Sequence, residues 1–301
     1  MTKTTATCSP TTRNRAGKLR LPRAEVADDK LVFDDQADAE LAISLGSFVV
    51  AIPPGLDLQP GLKMCRNFYQ ERTEPGDRYR GHLTEQHPDS KLGYADRPDQ
   101  VEQLQLESGH WRKYLPEEVT ALLGEMRRLT LATLHGVFEL AGVPRAHWET
   151  ITGGASTDNG LCYTTINHYR TGLSGRIGIV QHTDSGFITV FHADQPGLEL
   201  LVDGEWVPVE FDAENFIVNL GDSLEILTRN LARPVAAVVH RVPELPAEHG
   251  DRSSFTLYLG PRFDMDIYQY AADGTLQVYR GFRDFSVEKA ARLGYEFHPR
   301  V

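Results

Sequence analysis

From about residue 160 to residue 262 the chain is a succession of short β-branched and aromatic runs, each closed by glycine, proline, aspartate or asparagine. The runs are Tyr163–Tyr169, Gly178–His182, Gly186–Phe191, Leu198–Val202, Trp206–Val209, Phe216–Leu220, Leu224–Leu227, Pro234–Val242 and Ser253–Leu259. Asp203-Gly204 supplies a two-residue hairpin turn, because both residues tolerate the left-handed backbone such a turn requires. Many short strands at even spacing with turn signals between them predict a sandwich or jelly roll. The fold class expected is therefore mainly β with α.

The helices lie elsewhere. The strongest helical pattern runs over about 116–141, with Val119, Leu122, Leu123, Met126, Leu129, Leu134, Val137, Phe138 and Ala141 on one stripe and Gly142 at its end. It is read as a long helix supporting the β core. Upstream, Leu19–Val26 reads as extended, Asp35–Leu45 as a helix ended by Gly46, and Ser47–Ile52 as a strand. Leu62, Cys65, Phe68 and Tyr69 recur at helical spacing, residues 74–100 look like loop, Leu276–Tyr279 is strand-like, and a short helix is expected over about 286–293. The expected organisation is a disordered tail (1–18), an N-terminal region with a helical layer (19–110), and the helix plus β core (111–301, with the jelly roll at 158–265), packed as one globular unit.

Charge narrows the partners. The net charge is −11, yet residues 1–24 hold six basic side chains and no acid, which leaves the remainder near −17 (−11 − 6). Such a body repels polyanions, so no nucleic-acid partner is expected. No apolar run approaches the ~20 residues of a membrane span. Three scattered cysteines (Cys8, Cys65, Cys162) and no secretory apolar segment fit a reducing, cytoplasmic setting. Nothing in the pattern speaks to oligomeric state.

The chemistry begins at Gln181-His182-Thr183-Asp184. In a strand, residues two apart share a face, so His182 and Asp184 would aim at one point. A second, distant histidine would complete the two-His-one-carboxylate triad that holds non-haem Fe(II) with coordination positions open. His-x-Asp occurs four times, at His87, His182, His192 and His249. Pro88 and Gly250 interrupt any strand, and Ala193-Asp194-Gln195-Pro196-Gly197 is loop, so only His182 and Asp184 adjoin a strand with a suitable partner. That partner is His240, at the end of an apolar run 56 residues (240 − 184) beyond Asp184.

Twelve residues further on (252 − 240), Arg252 and Ser254 share one face of an otherwise apolar strand. A cation in a buried barrel needs an anion, because an unpaired buried charge costs several kcal/mol. The neighbouring strand patterns supply no acid, whereas a small dicarboxylate would serve, gripped by the guanidinium and the Ser254 hydroxyl. Tyr163, Thr165, Asn167 and Tyr169 alternate on one face of the preceding strand, a polar face that a ligand inside the barrel would satisfy.

Asn167-x-Tyr169, His182-x-Asp184, Pro196-Gly197-Leu198-Glu199-Leu200, Trp206-Val207, Asn219-Leu220-Gly221-Asp222-x-Leu224-Glu225-Ile226-Leu227, His240-Arg241-Val242 and Arg252-x-Ser254 occur in this order. Together they resemble the Fe(II)/2-oxoglutarate-dependent dioxygenases, in the branch containing isopenicillin N synthase, anthocyanidin synthase and the gibberellin oxidases. The resemblance implies His182, Asp184 and His240 as iron ligands. It implies Arg252 and Ser254 as the clamp on the distal carboxylate of 2-oxoglutarate, with Tyr169 and Asn167 also at the co-substrate. Two departures stand out: Arg170 follows the tyrosine where the plant enzymes carry proline, and the Asn230–Pro234 approach to His240 is longer and more basic.

The implied cofactors are Fe(II), 2-oxoglutarate as co-substrate, and O2. Oxidative decarboxylation of the keto acid would drive hydrogen abstraction from a small-molecule substrate, with hydroxylation as the default and desaturation or oxidative cyclisation as variants, in specialised metabolism by analogy. The sequence designates no catalytic group beyond the metal site. Tyr163, Phe187, Phe191, Leu224 and Tyr258 are candidates for the substrate pocket, or equally for the core. Two rivals stay open: an oxidase on the same fold that uses no keto acid, and a non-catalytic binding or regulatory protein built on the same barrel.

Overall fold

The computed structural model describes residue 14 and residues 16–82, 93–157 and 160–293. The strands are β1 (Arg23–Ala27), β2 (Lys30–Phe33), β3 (Ser47–Ala51), β4 (Gly93–Asp96), β5 (Val101–Glu107), β6 (Leu161–Tyr169), β7 (Ile179–His182) and β8 (Ile188–Ala193). They continue with β9 (Glu199–Val202), β10 (Glu205–Pro208), β11 (Asn215–Leu220), β12 (His240–Val242), β13 (Arg252–Gly260), β14 (Asp266–Tyr270) and β15 (Leu276–Gly281). The helices are α1 (Gln36–Leu45), α2 (Gln59–Cys65), α3 (Trp111–Tyr114), α4 (Glu117–Ala141), α5 (Trp148–Thr152), α6 (Asp222–Thr228) and α7 (Phe282–Leu293).

A nine-stranded sheet in the order β2-β1-β3-β11-β8-β13-β6-β5-β4 faces a four-stranded sheet in the order β10-β9-β12-β7, and together they form the jelly roll. Strands from the N-terminal region extend the large sheet at both ends. β3 pairs with β11 on one side of the core strands, and β5 pairs with β6 on the other. The N-terminal layer thus adds strands as well as α1 and α2.

The outer face of the large sheet carries the main apolar core. The stripe on α4, from Val119 to Phe138, is buried against Phe187, Val190, Phe255, Leu257 and Leu259 of the sheet and against Met64 and Phe68 of the α2 region. Removing this much apolar surface from water, at about 25 cal/mol per Å², is what holds the helix to the sheet. Gly142, in the left-handed conformation at φ 77°, ends the helix as the sequence predicts, and Gly46 does the same for α1. A second core, made by Leu198, Leu200, Val202, Val207, Val209 and Val238 with Phe191, seals the small sheet.

Several expectations need correction. Leu224–Leu227 is helical, not a strand: Gly221 is extended, and the Asp222 and Ser223 amides that open α6 are taken up by the carbonyls of Asp184 and Gly186. Four apolar residues are too few to separate the two periodicities. Pro234–Val239 forms no ladder, and β12 begins only at His240. Its amides go instead to scattered partners: Val235 to Thr228 Oγ1, Ala236 to the Ile43 carbonyl and Ala237 to Glu225 Oε2. The stretch runs so close to Gly46 that a Cβ there would sit 2.4 Å from the Ala236 carbonyl oxygen.

The expected loop over 74–100 contains β4, while β5 and β14 have no counterpart in the sequence reading. α7 starts at Phe282 rather than Ser286. Most of the expected tail, residues 1–13 and 15, and the His87-x-Asp89 motif lie outside the described residues. Asn14 Oδ1 accepts from the amides of Ala16 and Lys18, a turn that delivers Leu19 to a bridge with Val209. Cys65 and Cys162 are buried and are not joined in a disulfide.

Phe187 and Leu224 are core residues. Phe187 is 1% exposed and packs edge-on against Phe138 of α4, and Leu224 is fully buried beside it. Phe187→Ala should lower the unfolding free energy in urea by about 3–5 kcal/mol while leaving metal affinity unchanged. A stable variant with altered metal binding would show that Phe187 belongs to the site instead.

Candidate metal and anion site

His182 and His240 face each other as a direct cross-strand pair between the antiparallel β7 and β12, with ring centroids 4.4 Å apart. Asp184 joins them in a way the sequence does not predict. β7 ends at His182, so Asp184 lies in the connection to β8 and not on a strand face. That connection is fixed by α6: the Asp222 amide donates to the Asp184 carbonyl (2.8 Å), and the Ser223 hydroxyl donates to the Ser185 carbonyl (2.7 Å). Gly221 makes the approach feasible, since a Cβ there would lie 2.4 Å from the Gly186 oxygen and 2.8 Å from the Asp184 oxygen. Lys289 of α7 donates to Thr183 Oγ1 at 2.8 Å and contacts the Asp222 carboxylate, tying the same loop from its other side.

The three side chains offer ligand atoms that all lie within 4.8 Å of one another. Their outer atoms are already committed. His182 Nδ1 is 2.8 Å from the Val180 carbonyl and His240 Nδ1 is 3.1 Å from the Val238 carbonyl, so each Nδ1–H donates and each Nε2 is left with its lone pair turned inward. Thr189 Oγ1 donates to Asp184 Oδ2 at 2.6 Å, while Oδ1 points toward His182. Burial pushes the His182 pKa down to about 3, and neighbouring His240 adds to the fall. Burial acts to raise that of Asp184, but His240, His182 and the Thr189 hydroxyl outweigh it and hold the carboxyl below its usual range. A neutral His182 imidazole beside an ionised Asp184 carboxylate suits a divalent cation.

Behind the triad lies a cavity of about 60 Å³ lined by residues of both sheets, among them Asn167, Tyr169, Asn219, Arg252, Ser254 and Thr256. Strand register brings these together: Arg252 pairs with Tyr169 and Ser254 with Asn167 across β13 and β6. The Arg252 guanidinium lies over the Tyr169 ring at 4.6 Å, and its Nε donates to the Gln195 carbonyl. Arg252 is 3% exposed, yet its Nη1 has no hydrogen-bond partner. Asn167 Nδ2 donates to Ser254 Oγ at 3.2 Å. Asn219 Nδ2 is likewise buried without a partner, although Asn219 Oδ1 accepts from Ser47. Sequence reading assigned Asn219 no role; the signal was an amide inside the otherwise apolar run Phe216–Leu220.

Two unpaired donors lining one cavity, at a cost of about 1–3 kcal/mol each, fit a carboxylate. The N/N/O ligand set, with room on the cavity side, fits Fe(II) chelated by a keto acid. Residues that would hold these groups are His182, Asp184 and His240 for the metal and Arg252, Asn219 and Ser254 for the distal carboxylate.

The candidate pocket residues divide. Tyr163 and Tyr258 stack at 4.5 Å and line a larger cavity of about 150 Å³, which shares His182, Asp184 and Tyr258 with the smaller one. Phe191 borders the smaller cavity. Phe187 and Leu224 line neither. Arg170, the departure noted after Tyr169, pairs with Asp96 at 2.8 Å and bonds the Gln100 carbonyl, anchoring the segment between β4 and β5 to the end of β6.

Fold and site together define a double-stranded β-helix of the kind that carries a two-His-one-carboxylate centre at one end of its barrel. Residues 161–261 match the model of the 2OG-Fe(II) oxygenase superfamily. Among curated relatives, it is 41% identical over 90 residues to 1-aminocyclopropane-1-carboxylate oxidase 1 of Arabidopsis thaliana, covering 29% of this chain and 27% of that one. It is 24% identical over 188 residues to 1-aminocyclopropane-1-carboxylate oxidase 5 of the same plant, covering 60% of each. The chain thus spans less than two thirds of the length of these relatives. Solved structures cover more: JOX2 in complex with 2OG, Fe and JA superimposes with a TM-score of 0.70 at 18% identity, over 95% of this chain and 91% of that one. Full-length Neurospora crassa T7H in complex with alpha-KG gives 0.67 at 15% identity, over 93% and 98%. At such identities the likeness is one of fold. Among the described residues no helix is long and apolar enough to cross a membrane.

Thr189→Val removes the hydrogen bond that orients Asp184 while keeping the side-chain volume. Metal affinity, followed by titration of the metal-free protein, should fall by about 10–100-fold; unchanged affinity would show that Thr189 does not orient the carboxylate.

Proposed function

We propose that this protein is a non-haem Fe(II)/2-oxoglutarate-dependent oxygenase acting on a small molecule, with hydroxylation as its default outcome. The observation that carries the reading is the unpaired Arg252 Nη1, 3% exposed and joined by the Asn219 amide in a cavity that shares its wall with the His182–Asp184–His240 triad. A buried guanidinium left in this state is a carboxylate receptor, and a metal chelator with a second carboxylate uses both features at once.

In this reading His182, Asp184 and His240 hold the iron, which with the keto acid and O2 supplies the oxidising chemistry when bound. The chain's own residues do the rest. Arg252 and Ser254 seat the distal carboxylate, and Asn219 donates to the same end. Tyr169 covers the guanidinium face, and Leu198, Ile179 and Val242 keep water from the keto acid's methylenes. The larger cavity is lined by His182 and Asp184 but not by Arg252, Asn219 or Ser254, so a substrate there would reach the metal without taking the keto acid's seat. Nδ1 donation by both histidines keeps their rings fixed through the cycle. Asp184 is present as a ligand, which disfavours halogenation, a reaction that needs its position vacated.

The relatives named as oxidases favour a second reading, an Fe(II) oxidase on this fold that uses no keto acid. Succinate separates the two. Purified Fe(II) protein, screened against small metabolites, should release succinate in step with O2 uptake and substrate consumption, with a product mass gain of one oxygen or a loss of two hydrogens. His182→Ala should abolish turnover, and Arg252→Leu should raise the apparent KM for 2-oxoglutarate by about tenfold or more, as expected when a charge-assisted hydrogen bond of ~1.5–3 kcal/mol is lost. O2 uptake with substrate but without succinate would replace the first reading with the second.

A further inference from the structure

The larger cavity tells what kind of molecule it admits, on the reading that this is the substrate side of the triad. Its walls come from β5 (Gln103, Gln105), the stacked Tyr163–Tyr258 pair, the 182–186 loop, Phe263, and α7 with Phe282, Ser286 and Lys289; Arg97 stands at its edge.

The charges in these walls are already matched. Arg97 grips Asp99 through Nε and Nη2 at 3.1–3.3 Å, and Asp99 is 3% exposed, so the pair is locked in place. Lys289 is held by Asp222 and Thr183. Asp184 is committed to the metal centre. To bind a substrate carboxylate, the cavity would have to break one of these ion pairs and strand a buried acid, which is strongly unfavourable.

The unmatched groups are neutral. Gln103 and Gln105 are 8% and 6% exposed, and among the described residues neither carboxamide makes a side-chain hydrogen bond. They sit two residues apart on one strand face, about 7 Å along the strand, opposite Asn167 and Thr165 of β6. Leu104 and Leu106 alternate with them into the apolar core behind. Across the cavity the Ser286 hydroxyl is also buried without a partner. Buried polar groups are rarely left unsatisfied, so a cavity offering two free carboxamides and a hydroxyl is built for a ligand that both donates and accepts.

We propose that this cavity selects a small, neutral ring compound with an amide-type edge, such as a lactam, cyclic imide or aryl carboxamide, and discriminates against carboxylates. The N–H and C=O of that edge pair with Gln103 and Gln105, and the ring lies against Tyr163, Tyr258 and Phe263. A carboxylate of the same shape brings an unbalanced charge and no donor to match the glutamine oxygens.

Benzamide and benzoate form a matched pair that differs only in this edge. Binding of each to the full-length, metal-loaded protein with 2-oxoglutarate under anaerobic conditions, read by calorimetry and ligand-observed NMR, needs no turnover. Benzamide should bind, with benzoate weaker by about tenfold or more, and Gln103→Leu/Gln105→Leu should weaken benzamide by about tenfold, the loss expected for removed hydrogen bonds in a buried site. Gln105→Asn keeps the amide but withdraws it, and should give an intermediate loss even if the double variant folds poorly. Benzoate binding as tightly as benzamide, benzamide binding that ignores the glutamines, or no binding of either probe would overturn the proposal. A protein that binds benzamide through these residues yet releases no succinate would keep this inference and remove the oxygenase reading.

Discussion

The arrangement depends on one short antiparallel contact, the pairing of β12 with β7 that sets His240 opposite His182. β12 is only three residues long, so this contact must be held from outside. The Leu201 amide donates to the Val239 carbonyl from one side, and the Pro234–Val239 segment is pinned against Ile43, Glu225 and Thr228 on the other. Each histidine then returns its Nδ1–H to the carbonyl two residues before it, so the same backbone that places the ring also orients it.

The third ligand comes from a different device. Asp184 has no strand beneath it, and its position is determined by α6, whose first amides take up the carbonyls of the 184–186 loop, and by Lys289 from α7. The triad therefore sits where the small sheet, α6 and α7 meet. Two of its three side chains, His182 and Asp184, line both cavities. One cavity is lined by the unpartnered Arg252 Nη1, the other by Gln103, Gln105 and the unpartnered Ser286 hydroxyl, and each asks for a different partner.

Much of this was legible in the sequence because it rests on local pattern. The α4 stripe, the Gly46 and Gly142 helix ends, the alternation along β6 and the position of Arg252 and Ser254 on β13 all follow from periodicity and residue chemistry. What was missed depends on tertiary context. Leu224–Leu227 fits a strand or a helix equally until Gly221 is seen against the loop carbonyls. Val101–Glu107 alternates clearly, but its polar face could be wet until β6 is seen covering one side and the cavity the other. The convergence of His182 and Asp184 was anticipated for a reason that does not hold, since a turn and not a strand face produces it. Phe187 and Leu224 show the limit of reading aromatic and aliphatic residues near a motif as pocket, because Phe187, just before β8, packs on Phe138 of α4, and Leu224, within α6, joins the same core.

The central claim is that the triad and Arg252 act on one bound molecule. Calorimetric titration of 2-oxoglutarate into the anaerobic protein, with and without Fe(II), tests it most directly. Binding should require the metal, weaken by about tenfold or more in Arg252→Leu, and be lost in His240→Ala. Equal binding without metal, or binding indifferent to Arg252, would show that the triad and the guanidinium serve separate ligands.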